Sequence, residues 1–113
     1  MIEFPYASKQ KIISSYVFNK CSCLEKIIVS PHITSIGNHS FFGCKSLTKI
    51  DIPDSVEEIR ECAFADCSLL EMFKFPFNLK IIEPMAFYNC SSLKEMHLEN
   101  IVRIGRNSFA NCS

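Results

Sequence analysis

The chain has 113 residues, 12 Lys and Arg against 12 Asp and Glu, a formal net charge of zero and 48% hydrophobic residues. Charges of both signs scattered along the chain create no field that favours a polyanion, which argues against nucleic acid as a partner. No apolar run approaches the roughly 18 residues of a membrane span, which argues against insertion into a bilayer, and only three glycines leave no Gly-rich phosphate loop.

Met1 to Tyr6 holds an acidic residue, two aromatics and none of the apolar run of a secretory signal, so the chain as written is expected in the cytosol. A cell-surface location is the expectation only for a piece of a longer protein. Ile2-Glu3-Phe4-Pro5 has the pattern that returns at Ile50-Asp51-Ile52-Pro53, and reads as the strand of a partial turn. The polar stretch Tyr6 to Lys11 is expected to bulge outward at the first corner. A period then sets in. Phe18, Phe41, Phe64, Phe87 and Phe109 are each followed three residues later by Cys21, Cys44, Cys67, Cys90 and Cys112, in steps of 23, 23, 23 and 22.

Three residues after each of the first four cysteines comes Leu24, Leu47, Leu70 or Leu93, then Ile27, Ile50, Phe73 or Met96, then Val29, Ile52, Phe75 or Leu98. Apolar residues at alternating positions read as a short strand with one buried face, and successive turns stack these strands into a parallel sheet. Pro31, Pro53 and Pro76 close their strands, because proline offers no N–H to a ladder. The next pairs, Ile33/Ile36, Val56/Ile59, Leu79/Ile82 and Ile101/Ile104, return along the opposite wall in short extended or single-turn segments. The Phe-x-x-Cys stretch is expected to close each turn as a 3₁₀ or one-turn helix with Phe inside. Gly37 and Gly105 share a phase with Arg60 and Glu83, so no positive φ is demanded there. The fourth repeat is a residue shorter, lacks the proline and is expected to bend differently. The strand Glu95 to Leu98 then has nothing stacked on it. That uncapped C-terminal edge points either to further protein beyond it or to a contact surface, with end-to-end self-association as one use.

A repeat of this length with an L-x-x-L-x-L core is the signature of a leucine-rich-repeat solenoid. The motif Phe-x-x-Cys-x-x-Leu-x-x-Ile-x-Ile-Pro-x-x-Val-x-x-Ile closely resembles the BspA-like leucine-rich repeats of bacterial and protozoan surface proteins, over nearly the whole chain. The expected architecture is a single domain over residues 1–113, of about four full turns with partial turns at both ends. It would be a right-handed, β-rich coil with a parallel sheet on the concave side and short extended or 3₁₀ segments on the convex side. The resemblance implies adhesion or protein binding, brings no catalytic residues or cofactor, and leaves a structural spacer or an intracellular scaffold within a longer array as the alternative.

Five of the seven cysteines belong to the period. Turns stack about 4.8 Å apart, whereas a disulfide wants β-carbons roughly 3.5–4.5 Å apart, so the periodic cysteines are expected as free, buried, unreactive thiols. Cys23 and Cys62 fall at variable positions expected to be exposed. They form no second Cys or His pair for a zinc site, and His32, His39 and His97 lie at three different phases of the repeat, so no metal centre and no Cys–His dyad is expected. Of the ten phenylalanines, five are periodic and Phe4, Phe73 and Phe75 take strand core positions, which leaves Phe42 and Phe77 out of phase.

The variable face of the sheet carries the functional expectation. Residues alternating with the buried ones give two columns, Lys26, Lys49, Met72, Glu95 and Ile28, Asp51, Lys74, His97, with Glu71 and Lys94 beside them and Phe77 as an aromatic neighbour just past a proline corner. Mixed charge with apolar side chains suits a protein or peptide ligand, in which apolar contacts supply affinity and charges choose the partner. A merely solvated face is the competing reading.

Overall fold

The computed structural model describes the backbone of residues 2–4 and the whole of residues 11–94 and 97–112. Its elements are short because each turn of the coil must change direction several times within one period. The first sheet has four parallel strands in the order β1 (Ile2–Phe4), β3 (Lys26–Val29), β5 (Lys49–Asp51) and β7 (Met72–Phe73). The second has five, in the order β2 (Ile12–Ile13), β4 (Ser35–Ile36), β6 (Glu58–Ile59), β8 (Ile81–Ile82) and β9 (Arg103–Ile104). The chain alternates between the two sheets, so each strand pairs with the strand one turn on, as in a parallel-sheet solenoid of about four turns.

Register follows the period. Ile27 pairs with Ile50 and Ile50 with Phe73 in the first sheet, and Ile36 with Ile59 and Ile59 with Ile82 in the second. Each column faces the interior and is almost wholly buried. The expected partial turn at the start is present as β1, paired with β3; the expected bulge after it lies outside the described residues. The returning wall, expected as short extended or single-turn segments, is itself a continuous parallel sheet. In the shortened fourth repeat, Glu95 and Met96 lie outside the described residues, and His97 and Leu98 belong to no strand.

The phenylalanine column runs through the centre. Phe18, Phe41, Phe64, Phe87 and Phe109 stack face to face with centroids 5.1–5.3 Å apart. Phe41, Phe64 and Phe87 are fully buried. Phe18, expected to be nearly buried, is only half-buried because it lies in the first turn of the stack. Phe73 and Phe75 pack edge-on at 4.7 Å, and Phe73 meets Phe64 and Phe87 at 5.3 and 4.9 Å, arrangements that the ring quadrupoles favour.

The corner holding Phe and Cys is not a 3₁₀ or α-helical turn. Alternate amides bond three residues back, as Phe42 to His39 and Cys44 to Phe41, both at 3.2 Å, while His39, Phe41 and Gly43 donate to Glu61, Ala63 and Ala65 of the next turn at 2.8–2.9 Å. This needs left-handed backbone twice per turn. His39 and Gly43, Cys62 and Asp66, Met85 and Asn89, and Asn107 and Asn111 all have φ between 56° and 71°. A left-handed residue every fourth position stops a helix from propagating. It also frees every second N–H for the neighbouring turn, so this corner is a third hydrogen-bonded wall.

All seven cysteines are free. Cys44, Cys67, Cys90 and Cys112 donate their thiols to the carbonyls of Phe18, Phe41, Phe64 and Phe87, one turn earlier, at 3.0–3.1 Å. Cys23 is exposed as expected, but Cys62 is not: it is only 7% exposed. It occupies a left-handed corner whose amide is tied to the Pro84 carbonyl, so the turns on either side close over it.

Candidate functional site

The outward positions of the first sheet are set by the same alternation that buries Ile27, Ile50 and Phe73. β3 and β5 align Lys26 with Lys49 and Ile28 with Asp51, and β5 and β7 align Lys49 with Met72. Lys26, Lys49, Asp51, Met72, Lys74 and His97 are exposed and Ile28 is half-buried. Stacked rungs hold Lys26 and Lys49 in one column about 4.8 Å per rung apart.

Where the sheet passes from β5 to β7 it forms a hollow of about 520 Å³. Lys49, Asp51, Met72, Lys74, Lys94 and His97 rim it, and Ile50, Phe73 and Phe75 form its floor. Met72 is 62% exposed, a large apolar side chain standing in a charged rim. Lys94 pairs with Glu71 at 3.5 Å, a contact between two exposed side chains worth little in stability.

A second hollow adjoins the first and shares Lys74 and His97 with it; Phe77 stands on its rim, 70% exposed. The corner beneath that ring is fixed. The Phe77 amide donates to Asp54 Oδ1 at 2.9 Å, Asn78 Nδ2 to the Asp54 carbonyl at 2.8 Å, and Asn100 Nδ2 to the Phe77 carbonyl at 3.2 Å. Asp54, Phe77 and Asn100 are one period apart, a polar column visible in the spacing but not singled out by it. Lys49, Asp51, Met72, Lys74 and His97 are thus brought together, with Phe77 adjoining. Lys26 and Ile28 stand one turn away, and Glu95 lies outside the described residues. Phe42, the other out-of-phase ring, is on a different wall, half-buried and tilted against His39 at 5.3 Å, while His39 stacks on Tyr16 at 4.9 Å.

Among the described residues no group of three or more His, Cys, Asp or Glu side chains is placed to hold a metal ion, and no helix is long and apolar enough to cross a membrane. The family profile of the BspA type leucine rich repeat region matches six copies across residues 2–113. The chain belongs to the BspA-type leucine-rich-repeat family. Solved relatives have the same coil. The leucine rich repeat protein of T. pallidum is 31% identical with a TM-score of 0.87, over 90% of this chain and 48% of that one. A leucine-rich repeat protein of Bacteroides ovatus is also 31% identical, with a TM-score of 0.88, over 98% of this chain and 31% of that one. A leucine rich cell surface protein of Faecalibacterium prausnitzii shares the fold at 24% identity and a TM-score of 0.84, over 98% of this chain and 33% of that one. The chain therefore spans less than half the length of each of these relatives. No curated protein matches it. BspA-type repeat proteins are typically not enzymes, and leucine-rich repeats generally mediate protein interactions.

Proposed function

We propose that this BspA-type chain is a protein-binding repeat module, without catalytic activity, that takes a protein or peptide segment across the outer face of its first sheet. The observation that carries the reading is Met72, 62% exposed above a floor of Phe73 and Phe75 and ringed by Lys49, Asp51 and Lys74. A flexible thioether over an apolar floor supplies adaptable contact area, and charges of both signs around it discriminate between partners. The exposed ring of Phe77 on its braced corner extends the apolar surface towards the adjoining hollow.

The opposite wall serves as the control. There Glu58 is engaged by Arg60 at 2.8 Å and by the Ser35 hydroxyl at 3.3 Å, so its charge is already answered from within the chain. Affinity capture with the purified chain, followed by identification of what is retained, supplies the ligand. A Met72→Ala, Lys74→Ala double variant is then expected to weaken its binding at least about tenfold without moving the unfolding midpoint, since truncating an interface anchor costs more than about 1–2 kcal/mol. A Glu57→Ala, Glu58→Ala, Glu61→Ala variant is expected to bind as before. Binding that survived the first change and was lost on the second would place the contact on the opposite wall.

A further inference from the structure

Away from the two outermost described turns, large apolar side chains are exposed in one turn of the coil. Among the described residues these are Leu69, Met72 and Phe77, which are 49%, 62% and 70% exposed. The turns stacked on either side are polar at the same phases. Ser46 and Ser92 stand one period from Leu69, Lys49 pairs with Met72 across the sheet, and Asp54 and Asn100 stand one period from Phe77. The apolar side chains therefore form a stripe that runs along one rung, across the axis of the coil, and is a single rung wide.

That width and the charge beside it decide what can lie there. Rungs stack about 4.8 Å apart, which is also the width of one extended strand. A folded surface with an apolar patch several rungs broad would set apolar groups on Ser46, Lys49 and Asp54. The amides of Glu71 and Met72 donate to the Thr48 carbonyl at 3.1 and 3.3 Å, and the Glu71 carbonyl accepts from Lys94 at 3.4 Å. These backbone groups are already engaged within the coil, so the stripe is read through its side chains. Residues 69–77 span at most about 29 Å when extended, so roughly eight residues of a partner cover them.

Glu71 and Lys94 answer each other's charge. Lys49, Asp51 and Lys74 have no ion-pair partner among the described residues, which leaves two lysines against one aspartate beside the stripe. Lys74 falls between Met72 and Phe77 in the chain. An acidic segment complements that excess, whereas a basic one meets like charge.

We propose that the occupant of the sheet face is an extended, acidic segment of a partner protein, about eight residues long, laid along this rung rather than along the axis of the coil. Its apolar side chains contact Leu69, Met72 and Phe77, and a carboxylate between two of them faces Lys74. This rests on the sheet-face reading and adds to it the direction, the length and the charge of the ligand.

A display library of random eight-residue peptides, selected on the immobilised full chain, tests this. The recovered peptides are expected to combine apolar residues with Asp or Glu and to bind more weakly as salt rises. Their binding is then measured on variants that install what a neighbouring turn carries at the same phase, and that the coil therefore accommodates. Leu69→Ser and Phe77→Asn, which remove the two ends of the stripe, are each expected to weaken binding about tenfold. Ile28→Asp, which lies along the axis and copies Asp51 of the next turn, is expected to bind as before. Unfolding midpoints of all three variants show that any loss is one of contact. Loss with Ile28→Asp and none with Leu69→Ser or Phe77→Asn would overturn the proposal and leave the sheet-face reading standing. Peptides without acidic residues, or no peptides while affinity capture still yields a protein sensitive to Met72→Ala, Lys74→Ala, would do the same. Peptides indifferent to that double variant as well as to Leu69→Ser and Phe77→Asn would overturn both.

Discussion

Ser40 is fully buried, and its hydroxyl has no hydrogen-bond partner among the described residues. Its counterparts one and two turns on are Ala63 and Ala86, equally buried, so the site accepts a methyl group without rearrangement. Stripping water from a hydroxyl and giving it nothing in return costs about 1–3 kcal/mol. Ser40→Ala is therefore expected to stabilise the chain by about 1 kcal/mol in chemical denaturation, whereas truncations in cores usually destabilise. A lower midpoint would mean that the hydroxyl does find a partner in the folded chain. The inward-facing Phe residues were legible from their period, since a large apolar residue recurring at one phase has only the core to go to. Cys62 was not, because nothing in its type or spacing announces a left-handed corner closed over by the turns on either side.

The thiols of Cys44, Cys67, Cys90 and Cys112 each join their own turn to the phenylalanine carbonyl one turn back, and those of Cys67 and Cys90 hold their protons more tightly than an ordinary thiol. Burial, with the nearby Cys112, pushes the Cys90 thiol far above its ordinary value of 9.0. Its hydrogen-bonding with Cys44, and then its own burial, push the Cys67 thiol up as well. Above about pH 9 the unfolded chain gives up these protons and the folded chain keeps them, so the folded state binds more protons and stability falls as pH rises. Below about pH 8 both states hold them and stability is unaffected. Each such thiol is expected to add a downward slope of about 1.4 kcal/mol per pH unit above pH 9, and Cys90→Ala to remove one such increment. Denaturation midpoints of the two proteins between pH 7 and 10 would show it, and parallel profiles would contradict it. The strands of the first sheet were readable from alternation and proline; the returning wall was readable only as short extended or single-turn segments, and this third wall was not readable at all. Its left-handed corners are filled by Tyr, His, Cys, Met, Lys and Asp as well as by Gly and Asn, so no residue signature marks them, and the bonds between turns that offset their cost are a property of the stacked coil.

At the scale of the whole molecule, the columns of Lys49, Met72, Asp51 and Lys74 could be read because period 23 and alternation together fix a face. The hollow could not, since it depends on how Phe73 and Phe75 fill the interior beneath it, and its continuation to Phe77 depends on the Asp54 and Asn100 braces. The same stacking logic governs how the molecule comes apart. A coil in which each turn meets only its neighbours has a stability that is nearly a sum over turns and junctions, so position along the coil decides the cost of a change. Phe64 has rings on both sides at 5.1 and 5.3 Å and Phe73 edge-on at 5.3 Å. Phe109 has Phe87 at 5.3 Å on one side, Phe75 at 6.3 Å, and no described turn beyond it. Phe64→Ala is expected to cost about 3–5 kcal/mol, because turns fixed on both sides cannot close the cavity. Phe109→Ala is expected to cost about 1–2 kcal/mol, the loss of a side chain already partly in water. Amide hydrogen exchange separates the mechanisms. In the Phe109 variant, faster exchange should be confined to the last turn, at amides such as Val102 and Gly105 that bond back to Lys80 and Ile82. In the Phe64 variant, the Phe41 and Gly43 amides that donate across the adjoining junction should lose protection as well. Equal losses in stability, with exchange rising uniformly along the chain in both variants, would mean that the coil opens as one unit and that neighbour-by-neighbour additivity does not describe it.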